Sequence, residues 1–331
     1  MPVTAVNTDT DALTIEVVAD FTVPVRRLWD AYLDPRQLER FWGPPEYPAT
    51  FVRHDGFVGG VSTYYMTSPE GERFWGYWRW TAVDEGSSFE VRDGFAHEGG
   101  EPNAELPEGR MVFVFTETAL GSRLVCTSHH DSLEDLEKVL EMGQIEGMRA
   151  AMGQIDAVVE DLASFAAGRG TELQLIGDTQ ARISRIVRGT PELVWRAHHE
   201  AELIRRWMLG PDGWEMPICE PASEPGQRYR WGWTESSSGQ SFGFTGEFVE
   251  GERPFRAVTT EAMTTPEDPD GANSPSTLNE LTLTPVEGGT LVTLFVTYPD
   301  SATREMIIAT GMVDGMETSY ARLESEVLAA A

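Results

Sequence analysis

Apolar and polar positions along this 331-residue chain follow two periods in a set order, and the order occurs twice. A strand is predicted over about 12 to 21, then a short helical pair over 24 to 42. Six alternating segments follow near 47 to 54, 60 to 67, 73 to 83, 87 to 95, 109 to 118 and 122 to 130. A long helix over about 132 to 165 closes the unit. Ser132 is placed to cap it, and Ile145, Met148, Met152, Ile155, Val159 and Leu162 form one apolar stripe. An antiparallel sheet of this length can curl around such a helix, so the expected fold class is α+β.

The second occurrence is legible by overlay. WDAYLDPRQLERFWGP (29 to 44) lies over WRAHHEAELIRRWMLGP (195 to 211), with Trp29 on Trp195 and Arg40 on Arg206. MGQIEGMRAAMGQIDAVV (142 to 159) lies over TGMVDGMETSYARLESEV (310 to 327), where Met312, Met316, Tyr320, Leu323 and Val327 make the matching stripe. The offset grows only from 166 to 168, which describes a duplicated domain rather than a solenoid. Domains are expected at 1–168 and 171–331, joined by AAGRGTELQ (166 to 174), with Thr190-Pro191 starting the helical pair of the second copy. Two acidic Gly/Pro-rich segments, 97 to 109 and 264 to 276, are expected to be solvated hairpin loops.

Composition narrows the function. A net charge of −29, with 25 basic residues against 54 acidic ones, opposes nucleic-acid and anionic-membrane partners. No apolar run approaches the roughly 18 residues of a span. The N-terminus lacks a basic start followed by an apolar stretch, so a cytoplasmic location is expected. Cys126 and Cys219 stand far apart with no metal or redox spacing and read as buried thiols.

Several motifs resemble one family. Val-Pro-Val-Arg-Arg-Leu-Trp-Asp-Ala, Asp34-Pro35, Arg40-Phe41-Trp42-Gly43-Pro44, the Gly59-Gly60 turn and the Gly-Met start of the long helix are similar to the Aha-type branch of the SRPBCC, or START-like, superfamily. That branch is named for activators of a heat-shock chaperone ATPase. Copy two carries Pro191-Glu192-Leu193-Val194-Trp195, Arg206-Trp207, Gly210-Pro211 and Pro225-Gly226. The resemblance implies tandem helix-grip domains, each with a cavity between sheet and long helix that relatives use for small molecules. Copy one has Phe41-Trp42 and copy two Trp207-Met208-Leu209 where the family often has Trp-Trp-Gly-Pro.

Strand alternation assigns the cavity walls. In RFWGYWRW (73 to 80), Phe74, Trp78 and Trp80 are expected on the concave face, with Trp75 and Tyr77 on the convex face under the other copy or another subunit. The expected ligand-binding set is Trp42, Tyr64, Met66, Trp78, Trp80, Ser128, His130, Met148 and Met152 in copy one. In copy two it is Trp207, Tyr229, Trp231, Phe244, Met316 and Tyr320. Copy two has larger rings and no Ser or His on its last strand, so its cavity is expected to be the smaller.

No histidine or cysteine has zinc spacing, and no nucleophile elbow, phosphate loop or dinucleotide fingerprint occurs, so no catalytic residue, metal or cofactor is assigned. The expected function is binding of a hydrophobic, aromatic or polyketide-like small molecule, with domain packing or a homodimer compatible with the convex rings. Competing readings are a cyclase or aromatase, self-resistance by sequestering a reactive natural product, and a chaperone-interacting module.

Overall fold

In a computed structural model, which describes residues 2–159, 170–210, 213–286 and 288–330, the chain divides into two compact units, Met1–Gly168 and Arg169–Ala331. The first contains β1 (Val3–Asp9), β2 (Thr14–Phe21), α1 (Val25–Leu33), α2 (Pro35–Leu38), β3 (Ala49–His54), β4 (Val61–Thr67), β5 (Arg73–Asp84), β6 (Ser88–Ala96), β7 (Glu108–Thr118) and β8 (Gly121–His129). Helices α3 (Leu133–Glu141), α4 (Gln144–Met152) and α5 (described over 155–159) follow. The eight strands form one antiparallel sheet in the order β1-β2-β8-β7-β6-β5-β4-β3. Its inner face carries Ile15, Val17, Trp78, Trp80, Phe89, Phe113 and Cys126, all fully buried with Trp29 and Tyr32 of α1 and Met152, Ile155 and Val159 of the closing helices.

The second unit repeats this plan. It comprises β9 (Glu172–Ile176), β10 (Gln180–Val187), α6 (Pro191–His199), α7 (Ala201–Trp207), β11 (Trp214–Glu220), β12 (Arg228–Glu235), β13 (Ser241–Glu252), β14 (Arg256–Thr264), β15 (Ser276–Val286), β16 (Gly289–Thr297), α8 (Ser301–Ile308) and α9 (Met312–Arg322). The sheet order is β11-β12-β13-β14-β15-β16-β10-β9. No helix among the described residues is long and apolar enough to cross a membrane.

Caps follow the sequence signals. Ser132 Oγ accepts from Asp135 N at 3.0 Å, and Thr190 Oγ1 from Leu193 N at 3.3 Å, with Pro191 in the first turn. Four expectations need correction. Each sheet gains an edge strand, β1 and β9, whose half-exposed positions lack clean alternation; residues 172 to 174 of the expected linker belong to β9. The closing helix is also broken. Gly143 and Gly311, 168 positions apart, adopt φ of 82° and 81°, a left-handed conformation that ends one helix and starts the next. The stripe therefore runs over α4 and α5, and Leu162 lies outside the described residues.

The two remaining corrections concern β5. Tyr77 is buried within its own unit, because its ring lies over Gly94 and its hydroxyl donates to Glu108; Trp75 is half-buried against Tyr65, ring centroids 5.0 Å apart. The 97–107 segment helps seal this region by folding back. Ala96 bridges Pro102, a Cβ on Gly100 would strike Thr63, and Lys138 Nζ reaches Glu105 O at 3.3 Å. No second copy is needed to cover Tyr77. Phe74, expected inward, is 52% exposed at the sheet end beside Tyr47.

Candidate functional site on the inner face of the first unit

The inner face of unit one has a sealed end and an end that solvent reaches. At the sealed end the polar groups are satisfied in series: Trp80 Nε1 donates to Ser62 Oγ at 2.9 Å, Ser62 meets His54 Nδ1 at 3.0 Å, and His54 Nε2 meets Tyr32 O at 3.0 Å. Stacked Phe89 and Phe113, 4.5 Å apart, fill the rest. Trp80 is thus engaged in this series, and its ring stands 6.0 Å from that of Trp78.

At the other end Trp42, Met66, Asp93, Phe95, Gly109, Gln144 and Met148 are all only half-buried. Asp93 was missed in the sequence reading. Phe89, Val91, Asp93 and Phe95 share one parity on β6, so a charged residue interrupting the apolar side was the available signal. Trp78 Nε1 donates to the Asp93 carboxyl at 2.9 Å, and the Tyr64 hydroxyl is hydrogen-bonded to it as well. Partial burial pushes the carboxyl up to about 6, against the lowering effect of these two donors. Burial, followed by the charge of Asp93, holds the Tyr64 phenol well above its ordinary value.

Strand register sets these groups in a row. Ser62 pairs with Trp78, Trp78 with Asp93, and Asp93 with Gly109. Beyond Gly109 comes His130: a Cβ on Gly109 would lie 3.7 Å from its ring. Gly109 puts no side chain between Asp93 and His130, whose positions are two sheet spacings, about 10 Å, apart. His130 is 93% buried, yet neither ring nitrogen has a partner. Its burial depresses protonation, so at neutral pH the ring offers one donor and one acceptor. Next along β8, Ser128 Oγ is 3.4 Å from Gln144 Nε2 of α4, and Gln144 Oε1 is unpartnered.

Aromatic side chains wall this end. Trp42 stands edge-on to Trp78 at 4.5 Å and to Tyr64 at 6.1 Å, while the Tyr64 ring lies over Gly76. Farther out, a groove of about 480 Å³ is lined by Phe74, Trp75, Phe95 and Leu106 together with Arg73, Ala96 and Glu98. Phe95 is two residues along β6 from Asp93 and shares its face, so groove and row adjoin. Of the expected residues, Trp42, Tyr64, Trp78, Ser128 and His130 converge here. Met148 and Met152 face the same core from α4, and Met66 is half-buried one step beyond Tyr64.

A family model described as "Activator of Hsp90 ATPase homolog 1-like protein" matches twice, over residues 22–160 and 188–327. The chain belongs to that family. No curated protein matches. Among solved structures, protein Ms6760 from Mycobacterium smegmatis is 51% identical over 47% of this chain and 96% of its own, with a TM-score of 0.45. A protein from Arthrobacter aurescens is 42% identical over 47% of this chain and 91% of its own, TM-score 0.46. One from Rhodobacter sphaeroides is 29% identical over 49% and 99%, TM-score 0.44. Each spans about half of this chain.

The second family unit arranges its inner face differently. Glu261, the counterpart of Asp93 at the 168 offset, is raised by burial and hydrogen-bonded by Asn279 and by Tyr229, whose hydroxyl stands 3.2 Å away. Thr277 occupies the step that Gly109 leaves open and donates to Asn279 Oδ1 at 3.0 Å. Tyr298 stands where His130 does, its hydroxyl 3.9 Å from Met312 Sδ, and Val296 replaces Ser128. Arg185, where unit one has Ala19, ion-pairs with Glu317 and with Glu324 at 3.0 Å, tying sheet to closing helix.

The expected residues of unit two split between two clusters. Trp207 stacks on Tyr320 at 5.8 Å, and Met316 packs against the same core; Tyr229 lies over Gly246, 5.3 Å from Trp231. Phe244 instead joins Trp233, Phe242, Ile204 and Met216. His198 was not singled out as a ligand contact; it is held by Val194 O at 2.7 Å, and burial lowers it to about 4. Among the described residues no group of three His, Cys, Asp or Glu is placed to hold a metal ion.

Proposed function

We propose that the protein binds a hydrophobic small molecule, held in the first unit between the sheet and α4. The body lies against Trp42, Met66, Tyr64, Trp78, Met148 and Met152. Its polar end meets Asp93, Ser128 and His130. The observation that carries this reading is His130, a nearly buried ring with both nitrogens unpartnered, lying over Gly109 at the half-buried end of the inner face. Buried polar groups without partners are uncommon and costly, and a bound polar group would satisfy them. The helix-grip plan of the family, with its inner face under closing helices, suits such an occupant. Aromatic walls favour an aromatic or polyketide-like body.

Native mass spectrometry of freshly purified protein, joined to a thermal-shift screen of hydrophobic aromatic compounds, tests the reading. A co-purifying small molecule, or a stabilising compound whose effect disappears in Met152→Trp, supports it. A compound that stabilises Met152→Trp and the unaltered protein equally, but not Tyr320→Ala, would move the site to the second unit.

A further inference from the structure

Resting on that binding reading, we infer that the occupant's polar end is a protonated amine, so that the ligand is a hydrophobic cation. The polar groups at this end of the inner face carry the inference. Asp93 holds a carboxyl to which the two neutral donors Trp78 Nε1 and Tyr64 Oη are bonded, and among the described residues no Arg or Lys forms an ion pair with it. Gln144 Oε1 is an unpartnered acceptor, and His130 adds one acceptor and one donor. Trp42 Nε1 adds a second unpartnered donor, so acceptors outnumber donors three to two among these groups, and one of the acceptors is a carboxylate. An ammonium group brings three donors and the compensating charge, whereas a hydroxyl brings one donor and leaves the carboxylate uncompensated.

The surroundings point the same way. Trp42, Tyr64 and Trp78 line the approach to Asp93, and indole and phenol faces attract organic cations. The basic groups of neighbouring strands are engaged elsewhere: Arg79 and Arg92 both bind Glu108, and Arg110 binds Glu90 at 2.7 Å. The chain's net charge of −29 raises the local concentration of cations and lowers that of anions. A carboxylate ligand would instead bring a second negative charge to Asp93.

A matched series on the full-length protein tests this: naphthylethylamine, naphthylethanol and naphthylacetate by isothermal titration calorimetry at neutral pH. The expected order is amine over alcohol by about tenfold or more, with no measurable binding of the acid. In Asp93→Asn, which keeps an acceptor for Trp78 and Tyr64, the ratio of amine to alcohol affinity should fall to near one. Gly109→Thr, which copies the residue of the second unit, should weaken both. Equal affinities for amine and alcohol in the unaltered protein, or an amine preference that survives Asp93→Asn, would overturn the inference. If the alcohol binds as well as the amine and Met152→Trp abolishes both, the charge assignment falls while the binding site stands. If none of the three binds at millimolar concentration, the inference and the reading beneath it fail together.

Discussion

Unit one leaves a glycine and an unpartnered histidine beside its inner carboxyl, while unit two puts a threonine and a tyrosine at the same two places. The acid itself occurs in both, as Asp93 and Glu261, each held by neutral donors. Unit two also pins its closing helix with Arg185, where unit one has Ala19 in apolar contact. The comparison teaches that one architecture can meet the same row with a hydrogen-bonded threonine and a tyrosine or with a glycine and an unpartnered histidine. The difference lies in a few side chains on one sheet row.

The largest effect should come from filling unit one. Met152→Trp is expected to lower affinity for any inner-face ligand by about a hundredfold or more, at a cost of roughly 1 to 3 kcal/mol for overpacking. Trp231→Ala, checked in the same titration, should leave affinity unchanged if unit two is the closed copy.

The next effect concerns pH. The folded-state value of Asp93 is raised, to about 6 from 3.8, so its contribution to stability is fully present below about 4 and is lost as pH rises through 6. The shift corresponds to about 3 kcal/mol, which partial access to solvent reduces to roughly 2 kcal/mol. Asp93→Asn should therefore raise the urea midpoint of unit one at pH 8 and flatten its dependence between pH 4 and 7. An unchanged profile would place Asp93 in a solvated setting.

Breaking the clamp of unit two should act through its neighbours. Arg185→Met leaves Glu317 and Glu324 without their cation on a partly exposed helix, for a loss of roughly 2 kcal/mol. Differential scanning calorimetry should show only the transition of unit two moving down. Removal of one hydrogen bond is the smallest test: Tyr229→Phe should cost about 1 kcal/mol by taking a donor from Glu261 and from Thr260 O, accepted now at 2.8 Å.

Much of the fold was legible along the chain because duplication shows itself as a constant offset and strands as a period of two. Ser132 and Thr190 marked helix starts, and Tyr64, Trp78, Ser128 and His130 were placed on the inner face by alternation. Alternation could say which face Tyr77 takes but not what covers it: the 97–107 segment and Glu108 do so from distant positions in the chain. It could not separate Trp80, tied to Ser62 and His54, from Trp78, tied to Asp93, since both share one parity.

The sequence by itself determined the two-unit plan and the inner face of each sheet, because these depend on local periodicity and on repetition. Tertiary structure decided which polar groups on that face are left without partners. A hydrogen bond is a relation between strands and helices far apart in sequence, so Asp93 and His130 come into one row only once β6, β7 and β8 are in register and Gly109 stands between them. The same register puts Thr277 against Glu261 in the second copy.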